Sequence, residues 1–177
     1  MQIHRQKRSE SAGNSLIETA IMLPILFAIV FNAVNFGYFW FVCLTLAAAP
    51  RIGVEYSSQG GAVLSSGAAP STSSVEALVF DNLTNSLRAT TSNAAVRVCS
   101  GTSSAGVNSI SHIAGCDSYG MSYSFSANVA DPEPAVFVLN RVDVAYTVTP
   151  IITGAVFSVV LPSNVTLHRQ VSMRSLY

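Results

Sequence analysis

Charge is what this sequence has least of. Only 10% of its 177 residues are Asp, Glu, Lys or Arg, against roughly a quarter in ordinary soluble domains. From Thr19 to Pro50 there is none at all. Nine basic and nine acidic residues cancel, so the totals carry no basic footprint for nucleic acid. Histidine is scarce too: His4, His112 and His168 have no metal-ligand spacing with one another or with a cysteine. There is no Gly-x-Ser-x-Gly elbow for a nucleophilic serine and no glycine-rich loop to cradle a phosphate. The acids Glu55, Glu76, Asp81, Asp117, Asp131, Glu133 and Asp143 are scattered, and their spacing pairs none of them for acid–base work. Each reads as a solvated surface or turn residue, and His112 as a loop histidine. No internal repeat is evident. The expectation is a chain that is not an enzyme, holds no metal or cofactor and binds no nucleic acid.

Apolar residues are plentiful, at 50%. Thr19–Ala49 is an uncharged run of roughly 30 residues, roughly 46 Å as a helix. A hydrocarbon core of about 30 Å needs only some 20 residues, so the helix should protrude from a bilayer or tilt within it. A secretory signal peptide is the rival, with Ala47-Ala48-Ala49 as a small-residue cleavage site. However, the apolar region of a signal peptide runs about 7–15 residues, and Pro50 is a poor residue to follow such a cut. Pro24 lacks a backbone donor and should kink the helix. Asn32 and Asn35 share a face that suits packing against neighbouring helices, unless they are isolated asparagines that lipid tolerates. Phe36, Tyr38, Phe39, Trp40 and Phe41 suit either a membrane-interface belt or a packed bundle. Cys43 reads as a small buried apolar residue.

Residues 1–13 form a short basic leader containing His4, Arg5, Lys7 and Arg8, with Glu10 as its one acid. Beside an apolar span such a cluster stays cytoplasmic and the remainder is translocated. The helix is expected over 14–60, with the span at about 19–49. It should bend at Pro50, run to about Ser57 and be stopped by Gly60-Gly61. Residues 61–73 read as a linker of Ser, Ala, Gly and Pro. Residues 74–177 read as an extracytoplasmic α+β domain.

Within that domain Ser73-Ser-Val-Glu76 fits a capping box. Val75, Leu78, Val79, Leu83 and Leu87 then repeat at helical spacing. The pattern predicts an amphipathic helix over 74–88, laid on a sheet. Period-two alternation predicts strands at Ala95–Cys99, Met121–Val129, Val142–Val148 and Val165–Met173. Together they make an antiparallel sheet with one face solvated. Asp131-Pro-Glu-Pro134 should be a turn, and Thr149–Pro162 a loop or short helix covering a sheet edge. Cys99 and Cys116 lie in this polar half. Outside the cytoplasm an isolated pair suggests a disulfide worth roughly 3 kcal/mol, the alternative being two unrelated thiols.

Glu18 stands at the mouth of the span, where a carboxylate is costly and usually has a role and a partner. Gly13 precedes it by five residues. Leader, glycine, apolar run and glutamate together resemble a type IV prepilin. More narrowly, Ser15-Leu-Ile-Glu-Thr-Ala-Ile-Met-Leu-Pro24 is similar to the TadE-like family, the minor pseudopilins of tight-adherence (Flp-type) pili. Ala48-Ala-Pro-Arg-Ile-Gly-Val-Glu-Tyr56 resembles that family's second block, although Pro50 and Glu55 depart from it, as does Thr19 after the glutamate. The resemblance covers residues 11–57 and is loose beyond.

It implies that a prepilin-type peptidase, an aspartyl enzyme of the membrane, cuts after Gly13. The new amine of Asn14 would then pair with Glu18 of a neighbouring subunit. The partners implied are the membrane, the peptidase and other pilin and pseudopilin subunits. The implied location is the bacterial inner membrane, single-pass, in or at the tip of a surface pilus. Two other classes remain: an uncleaved, signal-anchored extracytoplasmic binding domain, and a membrane-tethered enzyme, for which the sequence offers no pocket.

Overall fold

The apolar run and its flanks form a single helix, α1 (Gln6–Val63), of 58 residues. It runs through Pro24 and Pro50, and through Gly60-Gly61, where the sequence places its end. A glycine weakens a helix by about 1 kcal/mol but keeps its N–H donor, so it does not by itself stop one. The computed structural model describes residues 6–63, 70–100, 115–126, 137–154 and 164–176. The 131–134 turn, His4, His112, residues 64–69 of the 61–73 linker and the part of the Thr149–Pro162 segment beyond Gly154 lie outside them.

The chain divides into two compact units. The first takes α1 up to Phe39 together with the chain from Pro150. The second takes the rest of α1, the chain as far as Thr149, and the chain again from Asn164.

In the second unit α1 shows a buried stripe of Val42, Leu46, Ala49, Pro50, Gly53, Val54 and Ser57. That is the spacing of one helix face. Gly53 marks a close approach. A Cβ there would lie 2.5 Å from Val79 Cγ2 and 3.3 Å from Val142 Cγ2, so the absent side chain lets α1 seat on both.

Helix α2 (Thr72–Leu87) buries Val75, Val79, Leu83 and Leu87 as its periodicity predicts. Its start differs from the predicted capping box. Ser71 is the N-cap, and its side chain accepts from the Ser74 N–H. Ser73 and Glu76 therefore fall inside the first turns. The hydroxyl two residues upstream already has the extended backbone that a cap needs, at φ −66° and ψ 151°. The helix closes on Arg88 in a left-handed conformation, with Arg88 N–H on the Thr84 carbonyl and Ala89 N–H on that of Leu83.

The sheet is antiparallel throughout, in the order β2-β1-β3-β4, from β1 (Ala94–Ser100), β2 (Gly115–Gly120), β3 (Phe137–Val148) and β4 (Val165–Leu176). The fold is thus α+β, with α2 packed on β1 and β2. Tyr146 ties β3 to the end of α2 by donating its hydroxyl to the Leu87 carbonyl at 3.0 Å.

Two expectations are corrected. The alternating run from Met121 is not a strand over its described residues, 121–126; the strand precedes it at Gly115–Gly120. Gly120 adopts φ 100°, and Met121 N–H then bonds the Ala94 carbonyl, which turns the chain off the ladder. Met121, Tyr123 and Phe125 are half-buried while the serines between them are exposed, so the alternation records cover by packing, not strand pairing. Second, the face assigned to solvent is closed at the sheet centre. On β3 both Val142 and Val144 and, opposite them, Arg141, Asp143 and Ala145 are buried.

Candidate functional site

The predicted assembly residues lie on the first part of α1. Gly13 is helical in the intact chain. Asn14 and Glu18 are both exposed, and their spacing of four residues puts them about one turn apart on one face. From Leu16 to Val34 every large apolar side chain except Phe31 is strongly exposed, Leu16 at 72% and Ile29 at 67%. Such continuous apolar exposure is compatible with a membrane around this part of the helix. The helix is long and apolar enough to cross a membrane, with a mean hydropathy of 2.1 in its most apolar stretch.

Several of its polar residues bond within the chain. Thr19 donates to the Ser15 carbonyl and Asn32 to that of Ala28, each one turn back. Asn35 does something different from the expected packing against a neighbouring helix. Its amide donates to the Ile152 carbonyl at 3.0 Å and accepts from the Ile152 N–H at 3.0 Å. The side chain is 1% exposed. Of the aromatic cluster, Phe36, Trp40 and Phe41 are exposed, and Tyr38 and Phe39 half-buried. Cys43 is a free, half-buried thiol.

Cys99 and Cys116 form the disulfide. They are register partners on β1 and β2 with Cα atoms 4.1 Å apart. The bond therefore joins an edge strand to the strand beside it.

Asp143, expected at the solvated surface, is not there. It is fully buried, at the centre of β3, with Arg97 on β1 and Gln170 on β4 in register on either side. Arg97 Nη2 donates to Oδ2 at 2.9 Å and Arg141 Nε to the same oxygen at 3.0 Å. Oδ1 accepts from Arg141 Nη2 at 3.3 Å and lies 3.0 Å from His168 Nε2. Arg141 also donates to Gln170. The segment after β2 closes over this cluster. Phe125 lies under the Arg97 guanidinium at 4.9 Å, and Arg97 donates to the Ser126 carbonyl. Tyr123 and Phe125 both pack against His168. The available signal was Arg and Asp at matching phase in β1 and β3, but a register is needed before those phases meet.

The sheet edge carries a shallow groove of about 300 Å³ lined by Glu76, Ala77, Phe80, Asp81, Thr84 and Tyr119. Phe80 and Tyr119 meet edge to face at 4.8 Å. Burial, and then the nearby Asp117 carboxylate, raise the Glu76 carboxyl above its ordinary value. Asp117 is itself hydrogen-bonded by the Thr72 hydroxyl. Among the described residues no three His, Cys, Asp or Glu side chains come together as metal ligands.

Compared with protein-family models, with curated proteins and with solved structures, the chain matches none.

Proposed function

We propose that the chain is a minor pseudopilin of a Tad/Flp-type pilus or a related secretion system, held in the membrane by α1 and assembled through it. One observation carries this reading. A single helix is apolar and exposed around its circumference over Leu16–Val34, then offers one buried stripe to a small domain from Val42 onward. An ordinary signal anchor needs only the first part. A rod that is first lipid-embedded and then packed into a fibre uses both, with the small domain carried on its far end.

In this reading the leader holds the precursor in the bilayer, and a prepilin-type peptidase removes it after Gly13. The peptidase must extend the backbone there, and glycine has the lowest cost of leaving a helix short of proline. The freed Asn14 amine then pairs with Glu18 of a neighbouring subunit, which offsets the cost of both charges in an apolar bundle. Assembly is heterologous, so it extends instead of closing. The small domain decorates or caps the fibre outside the cytoplasmic membrane.

Mass spectrometry of the protein recovered from its cells tests the reading. The expected N-terminal residue is Asn14. Recovery with Met1–Gly13 attached would leave the uncleaved, signal-anchored binding domain instead.

A further inference from the structure

We propose that the loop Pro150–Gly154 is a second membrane contact, fixed to the span at Asn35 and presenting Ile151 to lipid at the outer boundary of the bilayer. The proposal rests on reading α1 as a membrane span, and it adds a lipid surface as the partner of a loop well outside that helix.

Depth is the first argument. From Glu18 to Asn35 the helix rises about 26 Å at 1.5 Å per residue, a little less than the hydrocarbon thickness of about 30 Å. With the basic leader and Glu18 at the cytoplasmic boundary, Asn35 arrives just inside the opposite one. The clamped loop is therefore held at that level.

Backbone accounting is the second. A loop tip in water needs no side chain to satisfy its peptide groups. A loop tip at the edge of hydrocarbon does, because each unmet N–H or C=O there costs several kcal/mol. Asn35 meets both groups of Ile152, the carbonyl and the N–H, each at 3.0 Å. One helix side chain replaces the water that an ordinary loop would use.

The third argument is what the loop shows. Ile151 is 61% exposed, while its neighbour Ile152 carries the clamp. Phe36, next to Asn35 on the helix, is 51% exposed. The connection from Thr149 to Pro162 has no charged residue. An exposed isoleucine on an uncharged connection, beside a residue tied to the apolar helix, fits acyl chains just below the headgroups, at a depth of about 5–10 Å.

Trp40 is the one tryptophan of the chain, so depth can be read by indole fluorescence. Full-length protein carrying Trp40→Phe with either Leu26→Trp or Ile151→Trp is reconstituted into phosphatidylcholine vesicles brominated high or low on the acyl chains. Leu26 is 57% exposed at mid-span. The expected result is that deep bromines quench the indole of Leu26→Trp. Shallow bromines should quench that of Ile151→Trp more than deep ones do, with blue-shifted emission. Quenching of the first with water-like emission from the second overturns the loop contact and leaves the span standing. So does an Ile151→Trp indole that is shielded but unquenched by bromine, because a protein would then cover the loop. Absence of quenching in both removes the span and the proposal together.

Discussion

Arg141 and Asp143 stand two residues apart on one face of β3, and the guanidinium bonds both oxygens of the carboxylate, Nε to Oδ2 at 3.0 Å and Nη2 to Oδ1 at 3.3 Å. Arg97 reaches the same carboxylate from β1, and His168 from β4. Three strands thus converge on one buried anion. Asp143→Asn keeps the volume and removes the charge, which leaves two guanidinium groups without their counter-ion. A loss of about 3–5 kcal/mol is expected, read as a lower urea midpoint of the detergent-solubilised protein. His168→Gln, at a partly exposed position, should cost about 1 kcal/mol. Equal losses in the two variants would show that the carboxylate is not the hub.

Gly53 and Gly37 make a matched pair on α1. A methyl group at Gly53 meets Val79 Cγ2 at 2.5 Å, whereas one at Gly37 meets nothing within 4 Å. Gly53→Ala should destabilise by about 1–3 kcal/mol through overpacking. Gly37→Ala should be neutral, or gain up to about 1 kcal/mol from helix propensity. Thermal melts of the two variants side by side check the contrast.

The disulfide closes β2 onto β1. Cys116→Ser should cost roughly 3 kcal/mol by the loop-entropy argument. Dithiothreitol on the unaltered protein should shift the denaturation midpoint by the same amount. A reduced protein as stable as the oxidised one would refute this.

Glu76 supplies a pH test. Its carboxyl is raised, first by burial and then by Asp117, so the folded state favours the protonated form. Its contribution is full below the ordinary value of 4.5 and is lost as pH rises through the folded value. At neutral pH Glu76→Gln should therefore stabilise slightly, by about 0.2–1 kcal/mol after solvent screening. The gain should vanish below pH 4.5. Urea midpoints of both proteins against pH decide it.

Glu18→Ala probes assembly separately from processing. The substitution leaves Gly13 and the apolar run intact, so the leader should still be removed while incorporation into fibres drops. Immunoblots of sheared surface fractions and of whole cells measure the two steps independently. Normal fibre incorporation of the variant would dismiss the proposed pairing with the Asn14 amine.

How far the sequence carries depends on whether a signal is local. The apolar run, the α2 stripe Val75–Val79–Leu83–Leu87 and the strand periods of β1, β3 and β4 are local, and each is realised. The α2 cap was displaced by two residues because Ser71, Ser73 and Ser74 offer competing hydroxyls within one turn. The run at Met121 has the period of a strand without being one, since a segment laid across a sheet also buries alternate side chains. The sequence around Asp143 looks solvated because its burial depends on partners 46 and 25 positions away. The role of Asn35 was equally hidden, its partner being 117 positions distant. Long-range pairing, not composition, decided each of these.

The missing Cβ of Gly53 also has a mechanical consequence. Sliding α1 by one residue, about 1.5 Å with a turn of about 100°, would carry the notch off Val79 and put a bulkier side chain in its place. The seam has one seating and no neighbouring one. A pull on this part of α1 is therefore delivered to the sheet without slack, as in a keyed shaft, and the small domain moves with the helix face it is keyed to.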